Sequence, residues 1–284
     1  MRLALLTDNK HPSLTHDDRR LLPALLARGF AVSTAVWTDP AVDWSRFEAV
    51  ILRSPWDYTD RFEEFSDWLD RMDDLGLRMV NPSPIVRWNL RKSYLDELGL
   101  RGVSVIPTVR HVGIMGSLAP HVARWGRLVV KPEVSAAGRG TYRVDVENVE
   151  QIDRILAARP GDVFLVQPYL TAVETVGEHS LVFFERVYSH AIVKRAQFGG
   201  FLVHEEHGGT IRRAWPTDAL IAEASSIVEK IEGPLPFARI DLIEDHDRAW
   251  LVEAELVEPE LFLRFDRGAT ARLVQAIVSY LGAP

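Results

Sequence analysis

Val129-Val130-Lys131-Pro132-Glu133-Val134-Ser135-Ala136-Ala137-Gly138-Arg139-Gly140-Thr141 runs from a buried-strand signal into a lysine and then into a string of small residues. A lysine at a strand end offers a compact positive charge, and small residues let backbone N–H groups approach phosphate oxygens. A glycine-rich hairpin with an incidental lysine would read the same way, so the stretch needs support from its surroundings. It is neither a Walker A loop nor a dinucleotide fingerprint, because Gly-Lys-[Ser/Thr] and Gly-x-Gly-x-x-Gly are both missing from a strand-to-helix setting.

Upstream, the chain alternates strands and helices. Leu3 to Thr7 is a continuous apolar run stopped by Asp8, as expected of a parallel strand covered on both faces, and Asp18 to Arg28 before Gly29 reads as a helix with a glycine stop. Phe30 to Trp37 and Ala49 to Arg53 repeat the strand signal. Phe62, Phe65, Trp68, Leu69 and Met72 recur at the three- and four-residue spacing of a helix ending near Gly76. Residues 1–88 therefore read as a small doubly wound α/β domain. The proline-rich Asn81-Pro82-Ser83-Pro84 marks its edge, followed by a short helix carrying Trp88 and Lys92 and a strand near Val103 to Ile106.

Around the opening stretch, Leu128 to Lys131, Tyr142 to Val144 and Val163 to Val166 are strands with a helix over Val149 to Ala158, a small α+β lobe spanning 89–166. Over 167–284, strands at Glu178 to Glu185, Tyr188 to Arg195, Phe237 to Ile243 and Ala249 to Leu256 form an antiparallel set with helices at Leu220 to Ile231 and Thr270 to Leu281.

Two segments in this last part carry chemistry. Arg239-Ile240-Asp241-Leu242-Ile243 and Trp250-Leu251-Val252-Glu253-Ala254-Glu255 flank a turn, and strand parity puts Glu253 and Glu255 on one face where Asp241 can meet them. Carboxylates at that density repel one another, and a hard divalent cation such as Mg²⁺, which takes oxygen ligands, neutralises them. The ordinary alternative is a solvated strand face paired with Arg239 or Arg248. The other segment is Gln167-Pro168-Tyr169-Leu170, where a strand stops at a proline ahead of Glu174 and Glu178; such a hinge suits a backbone that reads an adenine edge and a carboxylate that holds ribose hydroxyls, while Glu178 taken alone reads as a strand-edge charge. His207-Gly208-Gly209 beside Glu205 and Glu206 lacks the His-x-x-x-His spacing of a metal site, and no Gly-x-Ser-x-Gly elbow occurs.

Composition narrows the partners. With 33 Lys+Arg against 40 Asp+Glu the net charge is −7, which disfavours nucleic acid. There is no cysteine, so disulfides, thiolate nucleophiles and zinc-thiolate sites are excluded. No apolar run approaches a membrane span or a signal peptide, and the expectation is a cytoplasmic protein without a membrane or nucleic-acid partner.

Taken in order, these segments resemble the ATP-grasp superfamily of nucleotide-dependent ligases along essentially the whole chain. The resemblance implies an N-terminal doubly wound α/β domain and two lobes of α/β and α+β character enclosing ATP. It implies Lys92 and Lys131 as phosphate-contacting lysines, Ser135 to Thr141 with Gly138 and Gly140 as the loop over the phosphates, Gln167, Pro168, Tyr169 and Leu170 as the adenine hinge, and Glu178 at the ribose. Asp241, Glu253 and Glu255 match the superfamily's ligands for Mg²⁺ (or Mn²⁺), and Lys194 and Arg239 take the position of phosphate or acyl-phosphate contacts. Within the superfamily, Arg53-Ser54-Pro55-Trp56-Asp57-Tyr58, Gly177-Glu178-His179-Ser180-Leu181, Glu206-His207-Gly208-Gly209 and Glu255-Leu256-Val257-Glu258-Pro259-Glu260-Leu261-Phe262 resemble the cycloserine-synthetase type, the O-ureido-serine cyclo-ligases.

That likeness implies a small amino acid substrate near Arg53, Trp56, Asp57, Tyr58, His207 and Gly208, ring closure through an acyl phosphate, and a homodimer as the oligomer to consider. The chain departs from the pattern at Phe201-Leu202-Val203-His204, where an arginine is expected, with Arg212 or Arg213 as substitutes. Intermolecular joining of two amino acids, phosphotransfer and a non-catalytic ATP-binding module remain as alternatives on the same nucleotide site.

Overall fold

The computed structural model describes residues 1–113, 116–197, 200–203 and 208–282. β1 (Arg2–Thr7), α1 (Leu21–Leu26), β2 (Ala31–Val36), β3 (Ala49–Ser54), α2 (Phe62–Asp74) and β4 (Arg78–Val80) build a parallel sheet of order β2-β1-β3-β4. Leu3 to Leu6 and Ala49 to Leu52 are fully buried, which explains their unbroken apolar runs. Phe65, Trp68, Leu69 and Met72 of α2 cover one face against Ala4, Leu6, Val50 and Leu52. The helix expected over Asp18 to Arg28 is shorter: a 3-10 turn at Asp18–Arg20 precedes α1, because Asp17 and Asp18 are engaged elsewhere, Asp17 by the Leu263 and Arg264 N–H groups at 2.7 and 2.8 Å and Asp18 by Arg53 at 2.9 Å.

α3 (Ser83–Asn89) and α4 (Tyr94–Leu100) replace the single helix expected around Trp88 and Lys92. Lys92 lies in the turn between them, where its N–H donates to Glu133 O at 3.1 Å. Of the strand expected near Val103 to Ile106, only Val105 bridges Leu251. β5 (Val109–Val112), α5 (Ala119–Trp125), β6 (Leu128–Pro132), β7 (Tyr142–Val144), α6 (Val149–Ala157) and β8 (Val163–Pro168) form an antiparallel sheet of order β5-β8-β6-β7. Leu128, Val130, Phe164 and Val166 pack there against Leu118, Val122, Ile152 and Leu156.

After α7 (Ala172–Thr175), β9 (Glu178–Phe184), β10 (Val187–Arg195), β11 (Thr210–Ala214), α8 (Asp218–Glu229), β12 (Phe237–Asp245) and β13 (Arg248–Glu255) make a sheet of order β11-β10-β9-β12-β13, and α9 (Ala269–Leu281) follows. Both faces of this sheet are covered. Val182, Phe184, Ile192 and Phe237 share a core with Leu3, Leu5 and Ile51 of the first sheet and with Leu273 and Ile277 of α9. Leu181, Phe183, Ile240 and Leu242 face Leu220, Ala224, Ile227 and Val228 of α8, with Tyr94, Leu95 and Leu98 of α4. Among the described residues, no helix is long and apolar enough to cross a membrane.

Two buried asparagines join the sheets where side chains meet backbone edges. Asn81 Nδ2 donates to Phe237 O at 2.9 Å and Leu256 O at 2.7 Å, while Asn81 Oδ1 accepts from Phe237 N at 3.2 Å. Asn89, at the end of α3, donates to Ala254 O and accepts from Leu256 N, at 2.8 Å each. Removing such a partner leaves buried backbone groups unpaired. Asn81→Ala is expected to lower the unfolding free energy by about 2–3 kcal/mol, read from urea denaturation at an unchanged m-value.

Candidate active site

A cleft of about 290 Å³ opens where the three sheets meet. One end is apolar: Val129, Tyr169, Leu170, Ile243 and Val252 surround the Gln167–Pro168 strand end, and Gln167 Nε2 is fixed by Thr108 Oγ1 at 2.9 Å. A flat ring fits such walls, and the backbone leaving β8 supplies directional polar groups.

The floor is charged and buried. On β12 and β13, Arg239 lies opposite Glu255 and Asp241 opposite Glu253, and a register shift after Asp241 resets the pairing to Leu242 with Leu251. Arg239 grips Asp241 with two nitrogens, Nε to Oδ1 at 3.0 Å and Nη2 to Oδ2 at 2.9 Å, and also bonds Glu255. Lys194 Nζ reaches Asp241 Oδ2 at 3.0 Å and Glu178 Oε1 at 2.8 Å, tying β10 to β9 and β12. Lys92 Nζ meets Glu253 Oε1 at 2.9 Å and Ser135 O at 3.0 Å. Lys131 Nζ, from β6, approaches Val252 O at 3.4 Å. Gly177 permits the β9 entrance, since at φ +89° a Cβ there would stand 2.6 Å from Lys194 O.

Charge sets the protonation states. Burial alone would raise Asp241, but Arg239 and Lys194 outweigh it and hold the carboxyl well below its usual range. Burial would likewise raise Glu253, yet Lys92 and Lys131 keep it low. Glu255 is pushed up to about 8, by burial first and by repulsion from Glu253 and Asp241, with Arg239 opposing. Burial pushes the Lys131 ammonium down. Glu258 rises to about 7, driven by loss of solvation with a smaller push from Glu253 and opposed by the Tyr58 hydroxyl and by Lys92. Phe262 underlies the cations at φ 51°, with Arg239, Lys194 and Arg264 at 5.4, 5.9 and 5.7 Å from its ring centre.

The donor set has the chemistry of a hard-cation site, all carboxylate oxygen with one carboxyl carrying excess proton affinity. It is not a closed cage: among the described residues, no three acidic or imidazole groups stand together at metal-holding spacing. Both Asp241 oxygens are engaged by Arg239 and Lys194, so Glu253 and Glu255, two residues apart on β13, are the pair that can offer oxygens to an ion completing its shell with phosphate and water.

The family is legible in comparison with known proteins. A family profile described as the N-terminal domain of D-cycloserine synthetase DcsG matches residues 3–81. The cycloserine biosynthesis protein DcsG of Streptomyces lavendulae is 36% identical over 304 residues, covering 98% of each chain. The chain belongs to the DcsG family of ATP-grasp ligases. The crystal structure of D-cycloserine synthetase DcsG superposes with a TM-score of 0.89 at 32% identity, over 99% of this chain and 100% of that one. An ATP-grasp RimK-domain protein of Sphaerobacter thermophilus (TM-score 0.71, 20% identity, 98% of each chain) and a D-alanine–D-alanine ligase of Bacillus anthracis (0.66, 13%, 98% of this chain and 96% of that one) share the fold.

Within this DcsG-family cleft, Lys92, Lys131, Ser135, Gly138, Gln167 to Leu170, Glu178, Lys194, Arg239, Asp241, Glu253 and Glu255 all line the cavity, as do Trp56 and Tyr58. Four expected residues do not. Arg53 is fully buried behind the wall, donating to Asp18 and to Pro259 O at 2.7 Å over the Phe237 ring. Asp57 is turned away to Trp37 Nε1 at 2.6 Å, and Gly140 serves its own turn, where at φ +69° a Cβ would meet Pro132 Cγ at 2.9 Å. Gly208 also lies off the described lining, and His204 and His207 fall outside the described residues. Arg213 pairs with Asp266 at 2.7 Å, and neither it nor Arg212 lines the cavity. Sequence reasoning gave no role to Glu258, Tyr94 or Arg139. Tyr94 Oη accepts from Ala254 N at 3.0 Å, and an aromatic at the start of a helix looks like core.

Lys194→Met is expected to lower stability by about 3 kcal/mol at pH 8, because it strands Glu178 in the interior. Burial already raises Glu178 above its unfolded value, and losing Lys194 raises it further. The folded variant then binds more protons than the unfolded chain, so its stability falls as pH rises. The deficit relative to the parent should shrink toward pH 5, read by thermal unfolding across pH.

Proposed function

We propose that the cleft binds ATP and activates the carboxylate of a small amino acid as an acyl phosphate, which a nitrogen of the same molecule then attacks to close a ring. An O-ureido-serine-like amino acid, giving cycloserine, is the substrate this reading favours. The observation that carries it is the floor, where Lys92 is shared between Glu253 and the Ser135 loop while Lys131 reaches from β6 of the adjoining sheet to Val252 O, so two lysines meet the β13 carboxylates beside that loop. The whole-length likeness to the cycloserine biosynthesis protein of Streptomyces lavendulae supports the acceptor.

Adenine would lie between Val129, Tyr169 and Ile243, with its ribose near Glu178. Lys92, Lys131 and Arg239 would neutralise the γ-phosphate as the substrate carboxylate attacks phosphorus and ADP leaves. The nitrogen lone pair then attacks the acyl carbon, a C–N bond forms, the nitrogen loses a proton and phosphate departs. Glu253 and Glu255 would hold Mg²⁺ or Mn²⁺, which supplies charge stabilisation on the phosphate oxygens. Trp56, Tyr58 and Glu258 also line the cleft and would form its acceptor end, where folding a single substrate would take the place of binding a second one.

The test is ADP and phosphate release with Mg²⁺ and ATP against O-ureido-serine enantiomers, single amino acids and amino acid pairs, with mass spectrometry of each product. Turnover with O-ureido-serine alone and a ring-closed product is expected. A strict need for two amino acids would replace ring closure with intermolecular ligation, and ATP binding with no turnover would make the chain a non-catalytic module. Glu253→Gln should cut Mg²⁺-dependent turnover at least 100-fold with the thermal midpoint within a few degrees of the parent.

A further inference from the structure

The loop between β6 and β7 is fastened at one point to a different lobe. Arg139 Nη1 donates to Asp60 Oδ2 at 2.7 Å, and Nη2 donates to Trp56 O and Thr59 Oγ1, each at 2.7 Å. All three acceptors belong to the 3-10 turn Trp56–Asp60 that follows β3. The turn itself is anchored: Trp56 Nε1 donates to Glu258 O at 3.2 Å, Trp37 Nε1 holds Asp57, and the buried Tyr58 packs on Phe65 with ring centres 4.9 Å apart. The loop is held otherwise by its own short turns, Arg139 N to Ala136 O at 3.1 Å and Thr141 N to Gly138 O at 3.2 Å, and by Lys92 at Ser135. Its small side chains bury little, and Ala137, Gly138 and Gly140 sit at φ 53°, 68° and 69°.

We infer that Arg139 is a positioning residue that latches the Ser135–Thr141 loop onto the Trp56–Asp60 turn, joining the wall of the acceptor end to the loop over the phosphate end. This rests on the proposed reading of the cleft. One guanidinium connects the two because its planar fork satisfies a carbonyl, a hydroxyl and a carboxylate at once, which an ammonium on a flexible stem does not reproduce. The Asp60 arm is solvent-exposed, with 63% of that side chain accessible, so the Trp56 and Thr59 arms do most of the fastening. Trp56 and Tyr58 line the acceptor end, and Ser135 at the other root of the loop touches Lys92. The latch therefore keeps water from an acyl phosphate while the acceptor wall is in register, the condition for ring closure to outrun hydrolysis.

The experiment is hydrogen–deuterium exchange on the full chain, with and without MgADP, for the parent, Arg139→Ala, Arg139→Lys and Asp60→Asn, alongside the ratio of ADP to ligated product. Amides of 135–141 should exchange at least fivefold faster in Arg139→Ala, with partial recovery in Arg139→Lys and a smaller effect in Asp60→Asn. The ADP-to-product ratio should rise above one in Arg139→Ala, with a higher KM for the acceptor and a nearly unchanged KM for ATP. An unchanged exchange rate in the loop overturns the latch, whatever acceptor the enzyme uses. Faster exchange with the ratio still at one and both KM values unchanged overturns its positioning role. Absence of turnover by the parent counts against the proposed function alone and leaves the exchange data to decide the latch.

Discussion

The fork of Arg239 onto Asp241 is the interaction on which the rest of the site depends. Both residues are buried on β12, the strand between β9 and β13, and each draws in partners from its neighbours: Asp241 takes Lys194 from β10, which brings Glu178 of β9, and Arg239 takes Glu255 of β13. Buried charges are tolerated only when paired and hydrogen-bonded, so the set holds as a unit. It also fixes register. A one-residue slip of β13 would send Glu253 and Glu255 to the opposite face, into the apolar layer of α8 and α4, and deprive Arg239 and Lys92 of their carboxylate partners on that strand.

The surrounding lobes are placed by contacts of a different kind. Lys92 does not arrive on a helix face; it arrives because the chain breaks between α3 and α4, with Asn89 committed to the β13 edge on one side and the Lys92 N–H committed to Glu133 O on the other. Glu133 is in turn pinned by Arg91 and Arg110. The strand end that delivers Lys131 and the turn that delivers Lys92 are therefore one assembly. Apolar burial supplies the cohesion within the sheets and between the first and third of them, while side-chain-to-backbone bonds set the position at which they meet.

What the sequence disclosed follows from the same division. The runs Leu3 to Thr7 and Ala49 to Arg53, the α2 stripe and the acidic alternation on β13 were readable because local periodicity reports burial directly. Short or edge elements were not: β5 reads Val-Arg-His-Val and β11 reads Thr-Ile-Arg-Arg-Ala, and neither carries enough apolar pattern to be distinguished from a loop. Arg53 shows the limit most clearly. It stands at the strand end where a ligand contact is expected, but its partners are Asp18 and the Pro259 carbonyl, 35 and 206 positions away, and no local pattern reveals them. The carboxylate cluster was legible as a cluster, and Arg239 as a partner for it; that Lys92 and Lys194 meet it as well required the third dimension.

The pairing of every floor carboxylate with a cation bears on how such a cleft can accept a polyanion. Lys92, Lys131, Lys194 and Arg239 face Glu178, Asp241, Glu253 and Glu255, so the ligand-free floor is close to neutral and stable as folded. A phosphate group added alone would leave the carboxylates facing new negative charge at low dielectric. On the proposed reading, a phosphate arriving with a divalent cation would change little in total charge: the lysines would be free to meet phosphate oxygens, and Glu253 and Glu255 would hold the ion. Lys92 is placed for that exchange, because its ammonium already spans from Glu253 to the loop that would overlie the phosphates. Asp241, held by Arg239 and Lys194 at once, is tied more firmly than Glu253, and a change of partner there would cost two charge-assisted bonds together.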